Sequence, residues 1–373
     1  MIVSEKHLQK FKVVEMKKST SLVCLFSILL MCMVAFDGTG ADANATAPDT
    51  DATPSEANAT PTAGSTGGAT PGDEATGTPE ELVWVLYGGG YVLVALTFLY
   101  LGKLLFDLVT PFKLDTQLTE KDNPAMGVVL TGYLLAIITV ICGVLTSGGE
   151  GSEGVEAAQL TFTAFATGLG PIVCYTFGGM VILLLSGFIN DKLILHQFSN
   201  THEVAERNNC AVAVIIAAGF IGSGLIIAGT VQGSLDWISA LVGFAAGQLL
   251  LVLFALVYQR ATSYDDQEEL HQRQNLACGL AFAGNLLAYS LLLMKGLTMS
   301  GGELESVQDR IWHFAYYAIS GAIALPCLRV INDKLFLPGV NLADEIAEDR
   351  NINAGLLEAG LAVAMSAILV VCL

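Results

Sequence analysis

The sequence predicts an all-α membrane protein: eight transmembrane helices arranged as four parallel two-helix repeats in two tandem halves. Three observations predict it. The 373 residues are 53% hydrophobic and only 14% charged, with a mean hydropathy of +0.60 that is too apolar for a soluble domain. The apolar runs are about twenty residues long, enough to cross a hydrocarbon core of about 30 Å. A short charged phrase ending in Asn also opens every second run, at Asn123, Asn209, Asn275 and Asn351, and a repeat of this kind governs the fold reading.

The chain begins with a segment that is not read as part of the bundle. Lys17 and Lys18 precede an apolar run from Leu22 to Phe36, followed by Ala41-Asp42-Ala43. A basic start, a short apolar stretch and an A-x-A site read as a cleaved secretory signal over residues 1–43, with Met16 as an alternative start and an uncleaved signal anchor as the competing reading. Residues 44–81 are rich in Ala, Thr, Gly and Pro. They lack apolar periodicity and cannot bury enough surface to offset ordering entropy, so a disordered extracytoplasmic tail is expected. Asn44-Ala45-Thr46 and Asn58-Ala59-Thr60 fit the glycosylation pattern, which low-complexity sequence produces by chance.

Eight spans are expected at Leu82–Phe106, Pro124–Thr146, Leu160–Ile189, Cys210–Val231, Trp237–Tyr258, Leu276–Met294, Ile311–Ile331 and Ile352–Leu373. Their length selects helices, because unpaired backbone in lipid is costly and a membrane strand needs only about ten residues. The connections after spans one, three, five and seven, with the span ends beside them, hold Lys103, Lys113, Lys121, Lys192, Arg207, Arg260, Arg273, Arg329, Lys334 and Arg350, against Lys295 and Arg310 on the other side. That bias places the longer connections in the cytoplasm. Both the mature N-terminus and the C-terminus are then extracytoplasmic.

The halves are expected at 82–231 and 232–373. Ile189-Asn190-Asp191-Lys192-Leu193 recurs as Ile331-Asn332-Asp333-Lys334-Leu335, a step of 142 residues that also relates Asn209 to Asn351. Small residues stand four and nine places after each Asn: Gly127, Ala213, Gly279 and Gly355, then Gly132, Ala218, Gly284 and Gly360. The two sets lie on different helix faces and contact different neighbours, and small residues let membrane helices approach closely.

Asn123, Asn209, Asn275 and Asn351 sit where helices begin. They are expected to cap those helices, with a polar site for an anion or partner at the four positive helix ends as the functional alternative. Glu358 breaks the repeat. It stands inside the last span where the other copies have Leu130, Ile216 and Phe282, about 10 Å deeper than Asn351. A lone carboxyl at that depth is the candidate functional residue, against the alternative of a glutamic acid that bonds helices together. Gln248, Asn285, Tyr133, Tyr289 and Ser223 are expected to bond helices, and Pro171 and Pro326 to kink their spans.

The net charge of −18 excludes nucleic acid as a partner. The bilayer, protein partners or a homo-oligomer remain. No His or Cys spacing suggests a metal, no cofactor motif appears, and no phosphate loop, HExxH or nucleophile elbow points to an enzyme. The expected function is a permeation or transport component, with a non-enzymatic scaffold for cytoplasmic or envelope partners as the alternative and an intramembrane enzyme third.

Glu120-Lys121-Asp122-Asn123-Pro124-Ala125-Met126-Gly127, followed by Gly132-Tyr133, resembles the bacterial "domain of unknown function 350" membrane family. The resemblance covers about 82–373 and is strongest in the first copy. It implies paired-helix units in a bacterial inner membrane, and it supplies no reaction.

Overall fold

The computed structural model describes residues 79–147, 162–233, 237–298, 306–336 and 338–373. The expected signal segment, and the tail up to residue 78, lie outside them. Among the described residues, eight helices are long and apolar enough to cross a membrane. They are α1 (Pro79–Val109), α2 (Pro124–Ser147), α3 (Phe162–Leu193), α5 (Cys210–Gly233), α6 (Trp237–Ala261), α8 (Leu276–Leu297), α9 (Val307–Phe336) and α11 (Ile352–Cys372). No strand occurs among the described residues. Each expected span has its helix, extended by a turn or less at most ends. The first helix begins at Pro79, so the last three residues assigned to the tail are helical.

The connections hold structure that apolar patterning could not show. A π-helical turn (Thr116–Glu120) precedes α2. The short helices α4 (Asn200–Ala205), α7 (Asp266–His271) and α10 (Leu342–Ala347) precede α5, α8 and α11. Their caps are local: Ser199, Asp265 and Asn341 each accept from backbone N–H groups of the first turn, satisfying donors that a helix start leaves free.

The Asn-headed helices form a row. Helix α2 packs on α5, α5 on α8 and α8 on α11, and these are the three most extensive pairings in the molecule. Along each pair the close approaches rise together in both sequences, from Gly132 on Ala217 to Gly143 on Ala228, so the row is parallel. The remaining helices lie against its seams. Helix α3 packs on α2 and α5, α6 on α5 and α8, and α9 on α8 and α11.

Small residues set the spacing of the row. A Cβ added at Gly132, Gly279, Gly284 or Gly355 would fall within 3 Å of backbone atoms of the neighbouring helix. Backbones this close gain dispersion contacts that lipid cannot supply, which is what drives helix association where no hydrophobic difference exists. Four residues after the Asn, Gly279 and Gly355 face the preceding helix of the row, and nine after it, Gly132 and Gly284 face the following one. Burial follows the row: 89% of the α5 window and 94% of the α8 window lie inside the protein, against 28% for α11. Pro171 and Pro326 lie within continuous helices.

Candidate functional site

Two sets of polar residues stand out: the loop network around the four Asn, and a charged cluster inside the bundle.

At each Asn the chain makes the same turn. The residue before it adopts a left-handed conformation: Asp122, Asn208, Gln274 and Arg350, with φ between 48° and 53°. No other non-glycine residue does so among the described residues. A left-handed residue ends the short helix and turns the chain into the next. It costs on the order of 1 kcal/mol for Gln or Arg, and the turn is held by a recurring backbone bond. The Asn N–H donates to the carbonyl six residues earlier, at Gln117, Glu203, Glu269 and Glu345, over 2.8–3.0 Å.

The Asn side chain then joins three pieces of chain. Its Oδ1 accepts from the first turn of its own long helix: from Met126 N at Asn123, Ala211 N at Asn209, Ala277 N at Asn275 and Asn353 N at Asn351. Its Nδ2 donates to the side chain six residues back, Gln117, Glu203, Glu269 or Glu345, at 2.7–3.1 Å. In three cases Nδ2 also donates across to the next connection. Asn123 reaches Val204 O, Asn209 reaches Leu270 O and Asn275 reaches Ile346 O, at 2.7–2.8 Å. Asn351 has no such carbonyl among the described residues.

Asn123, Asn209 and Asn275 are therefore buried, and their oxygens are occupied by capping. The four residues expected at helix starts all stand there. The structure does not gather them into one site, but strings them along one face of the row. The residue six before each Asn escaped the sequence reading, although the spacing Gln117–Asn123, Glu203–Asn209, Glu269–Asn275 and Glu345–Asn351 was present in it.

Arg207 and His271 close the network around Glu203. The carboxylate takes Arg207 Nη1 at 2.8 Å and lies 2.8 Å from His271 Nδ1, while His271 stacks on Phe198. Burial pushes the Glu203 carboxyl up. Hydrogen bonds from Asn209, Arg207 and His271, with the Arg207 charge, outweigh that and hold it below the ordinary glutamate value. Asp266 is the opposite case. Burial raises it to about 7, and bonds from Thr262 and Cys278 only partly oppose this.

Glu358 lies inside the bundle on α11, 1% exposed. It is not the lone carboxyl expected from the sequence. Arg329 Nε approaches Glu358 Oε1 at 3.1 Å, Tyr258 O–H donates to it at 3.1 Å and Asn285 Nδ2 at 3.2 Å. The four residues come from α9, α11, α6 and α8. Arg329, counted with the flank of span seven, lies within α9, one helical turn after Pro326. It was misplaced because a single Arg near the end of an apolar run reads as a flank, and nothing in the run shows that its side chain points inward to a carboxylate on another helix. The guanidinium also lies over the Tyr258 ring, 5.2 Å from its centroid, and Nη2 donates to Tyr264 O–H at 3.4 Å. Glu358 Oε2 has no hydrogen-bond partner among the described residues.

Beside this cluster is a cavity of about 310 Å³, walled by Tyr258, Asn285, Arg329, Asp333 and Asn341 among others. A second cavity of about 220 Å³ lies in the first half, reaching Asn190, Asp191 and Asn200. Near it the polar cluster is neutral. Gln248 Nε2 donates to Asn190 Oδ1 at 2.7 Å, and Ser223 Oγ donates to Gln248 Oε1 at 2.9 Å. Gln248, Ser223 and Asn285 thus all bond helices together, and Tyr289 O–H does so too, donating to Ala318 O, whereas the buried Tyr133 O–H, expected to do the same, has no partner among the described residues.

No curated protein and no solved structure matches the chain. The sequence model described as Domain of Unknown Function (DUF350) matches it twice, over residues 82–231 and 233–373. Two matched copies, each spanning four apolar helices, account for nearly all of the described bundle, and this multi-pass membrane protein belongs to the DUF350 family.

Proposed function

We propose that the protein is a non-enzymatic permeation or transport component of a bacterial inner membrane, and that Glu358 and Arg329 form its working site. In this reading the chain is four parallel two-helix units, with the short-helix face in the cytoplasm and both mature termini outside. The observation that carries it is the Arg329–Glu358 pair, whose Arg329 lines the 310 Å³ cavity together with Tyr258 and Asn285. Removing two charges from water costs several kcal/mol per ion before pairing offsets it, and ionisable groups held within membrane spans mark solute or proton pathways by default. Among the described residues Glu358 Oε1 takes three bonds while Oε2 takes none, so Oε2 is the atom left to receive a proton or a cationic group. Tyr258 and Asn285 would hold the carboxylate while Arg329 exchanges partners.

Flux measured in proteoliposomes across a pH gradient tests this. Glu358→Gln is expected to lower flux at least tenfold and to flatten its pH dependence. Flux that Glu358→Gln leaves intact at every pH removes Glu358 from the pathway. A scaffold role is the second reading, favoured by the close backbone packing along the row, which leaves no space for a pore between its helices. Protein that passes no ion or solute but co-purifies with one stoichiometric partner supports that reading instead.

A further inference from the structure

The row of Asn-headed helices has two unlike ends, and each end presents half of an interface that the chain makes three times internally. We propose that copies of this protein join head to tail in the membrane, α11 of one copy packing on α2 of the next in the register that joins α2 to α5, α5 to α8 and α8 to α11.

The internal interface has a fixed composition. One helix presents residues 2, 9, 13 and 20 after its Asn, and the following helix receives them with residues 4, 8, 15 and 19. Gly132 thus meets Ala217, Ala136 meets Gly224 and Gly143 meets Ala228 between α2 and α5. Ala211 meets Gly279 and Gly222 meets Ser290 between α5 and α8. Ala277 meets Gly355, Gly284 meets Ala359, and Ser366 Oγ donates to Ala288 O between α8 and α11.

The presenting face of α11 is bare. Asn353, Gly360, Ala364 and Val371 are all exposed, and a Cβ at Gly360 would meet nothing within 4 Å, where its counterparts Gly132 and Gly284 meet backbone within 3 Å. The receiving face of α2 is half-exposed at Gly127, Thr131, Ile138 and Cys142. A Cβ at Gly127 would touch only Leu118 of its own loop, where Gly279 and Gly355 meet the carbonyls of Ala211 and Ala277. The row does not close on itself within one chain, because α11 and α2 share no such packing.

The polar clasp supports the same joint independently. Asn123, Asn209 and Asn275 each spend an Nδ2 proton on a carbonyl five residues before the next Asn. Asn351 donates to Glu345 alone. The carbonyl at the matching place in the first loop is that of Leu118. Leu118 is half-exposed, whereas its counterparts Val204, Leu270 and Ile346 are buried. A second copy brings Leu118 O to Asn351 Nδ2 and Gly127 and Thr131 to Asn353 and Gly360. Unlike faces that join head to tail make a closed ring or an open array rather than a two-fold dimer. The joint also covers the outer side of α1: α3, α6 and α9 each pack extensively on two row helices, whereas α1 packs chiefly on α2, with the Phe106 ring 6.2 Å from that of Phe220 on α5.

Cysteine cross-linking of the full chain in lipid nanodiscs and in native membranes tests the joint. Gly360→Cys and Thr131→Cys occupy the positions that pair Gly132 with Ala217. The double variant is expected to give a ladder of disulfide-linked oligomers under copper phenanthroline. Each single variant is expected to stay at the wild-type background, and a mixture of the two singles is expected to stop at a dimer containing one of each. Gly360→Leu is expected to leave the thermal unfolding of detergent monomers unchanged, since its site is open, while reducing the oligomer to monomer by native mass spectrometry in lipid. A dimer from Gly360→Cys alone would show a two-fold interface and overturn the proposal. Two further results overturn it: wild-type monomer in lipid with no ladder from the double variant, or cross-linking in native membranes to a different polypeptide in place of a second copy.

Discussion

Asn209 shows how much one side chain does in this protein. It caps α5, holds the Glu203 carboxylate and reaches the carbonyl of Leu270 on the next short helix, all with no exposure to solvent. Asn209→Ala removes a cap worth about 1 kcal/mol and strands buried acceptors at roughly 1–3 kcal/mol. The expected loss is about 2–4 kcal/mol in detergent monomers. Asn351→Ala removes a cap and one bond at a partly exposed site, and is expected to cost about 1 kcal/mol in the same monomers. Thermal unfolding of the two variants side by side checks this, and equal losses would mean that the bond across to the next connection adds nothing. The sequence displayed the four Asn plainly. Their partners were harder to see, because the carbonyls they reach lie 61–81 residues away along the chain and carbonyls leave no mark in a sequence.

Among the helices, α5 and α8 are defined by what they lack. Small residues on two faces admit a neighbour on each side, and no side-chain movement relieves a clash with backbone. Gly284 lies with its Cβ position within 3 Å of Ala359 backbone atoms, so Gly284→Val must move α8 and α11 apart. The expected cost is at least about 1–3 kcal/mol, the usual range for overpacking. Gly360→Val, on the same face of α11 with nothing within 4 Å, is expected to leave the detergent monomer as stable as wild type. Comparison of their denaturation midpoints decides the matter, and similar losses would show that the row is not set by small residues. The lengths of these helices were legible because lipid forces the backbone to satisfy itself. The short helices α4, α7 and α10 were not, since six residues carry too little periodicity to register.

For the whole molecule, the buried acids of the short-helix face set how stability follows pH. Burial raises Asp266 to about 7, against an ordinary aspartate value of 3.8. Its folded form holds a proton that the unfolded chain has released, so the stability it contributes is full below about pH 4 and is lost as pH rises to 7. Three pH units correspond to at most about 4 kcal/mol. Glu203 acts in the opposite sense: it is held below its ordinary value, so its contribution is present above that value and fades only in stronger acid. Of these two acids, Asp266 is the one whose contribution changes between about pH 4.5 and 7. Thermal unfolding is expected to fall across that window in wild type and to flatten in Asp266→Asn. A slope unchanged by the substitution would assign it to another group.

By itself the sequence determined the eight spans, the four Asn that open alternate helices, the small residues on two helix faces and the singularity of Glu358. Each follows from rules that act within about twenty residues: hydrocarbon thickness, helix capping and helical periodicity. The tertiary structure alone decided what each of these meets. It placed Arg329 against Glu358, 29 residues apart on different helices, and turned a lone charge into a pair beside a cavity. It also set one order for the row, α2, α5, α8 and α11, and so left a presenting face at one end and a receiving face at the other. Those outcomes depend on which helices become neighbours. Apolar faces look alike to lipid, so the choice among them rests on backbone approach and on the bonds that three asparagines make across to the next connection.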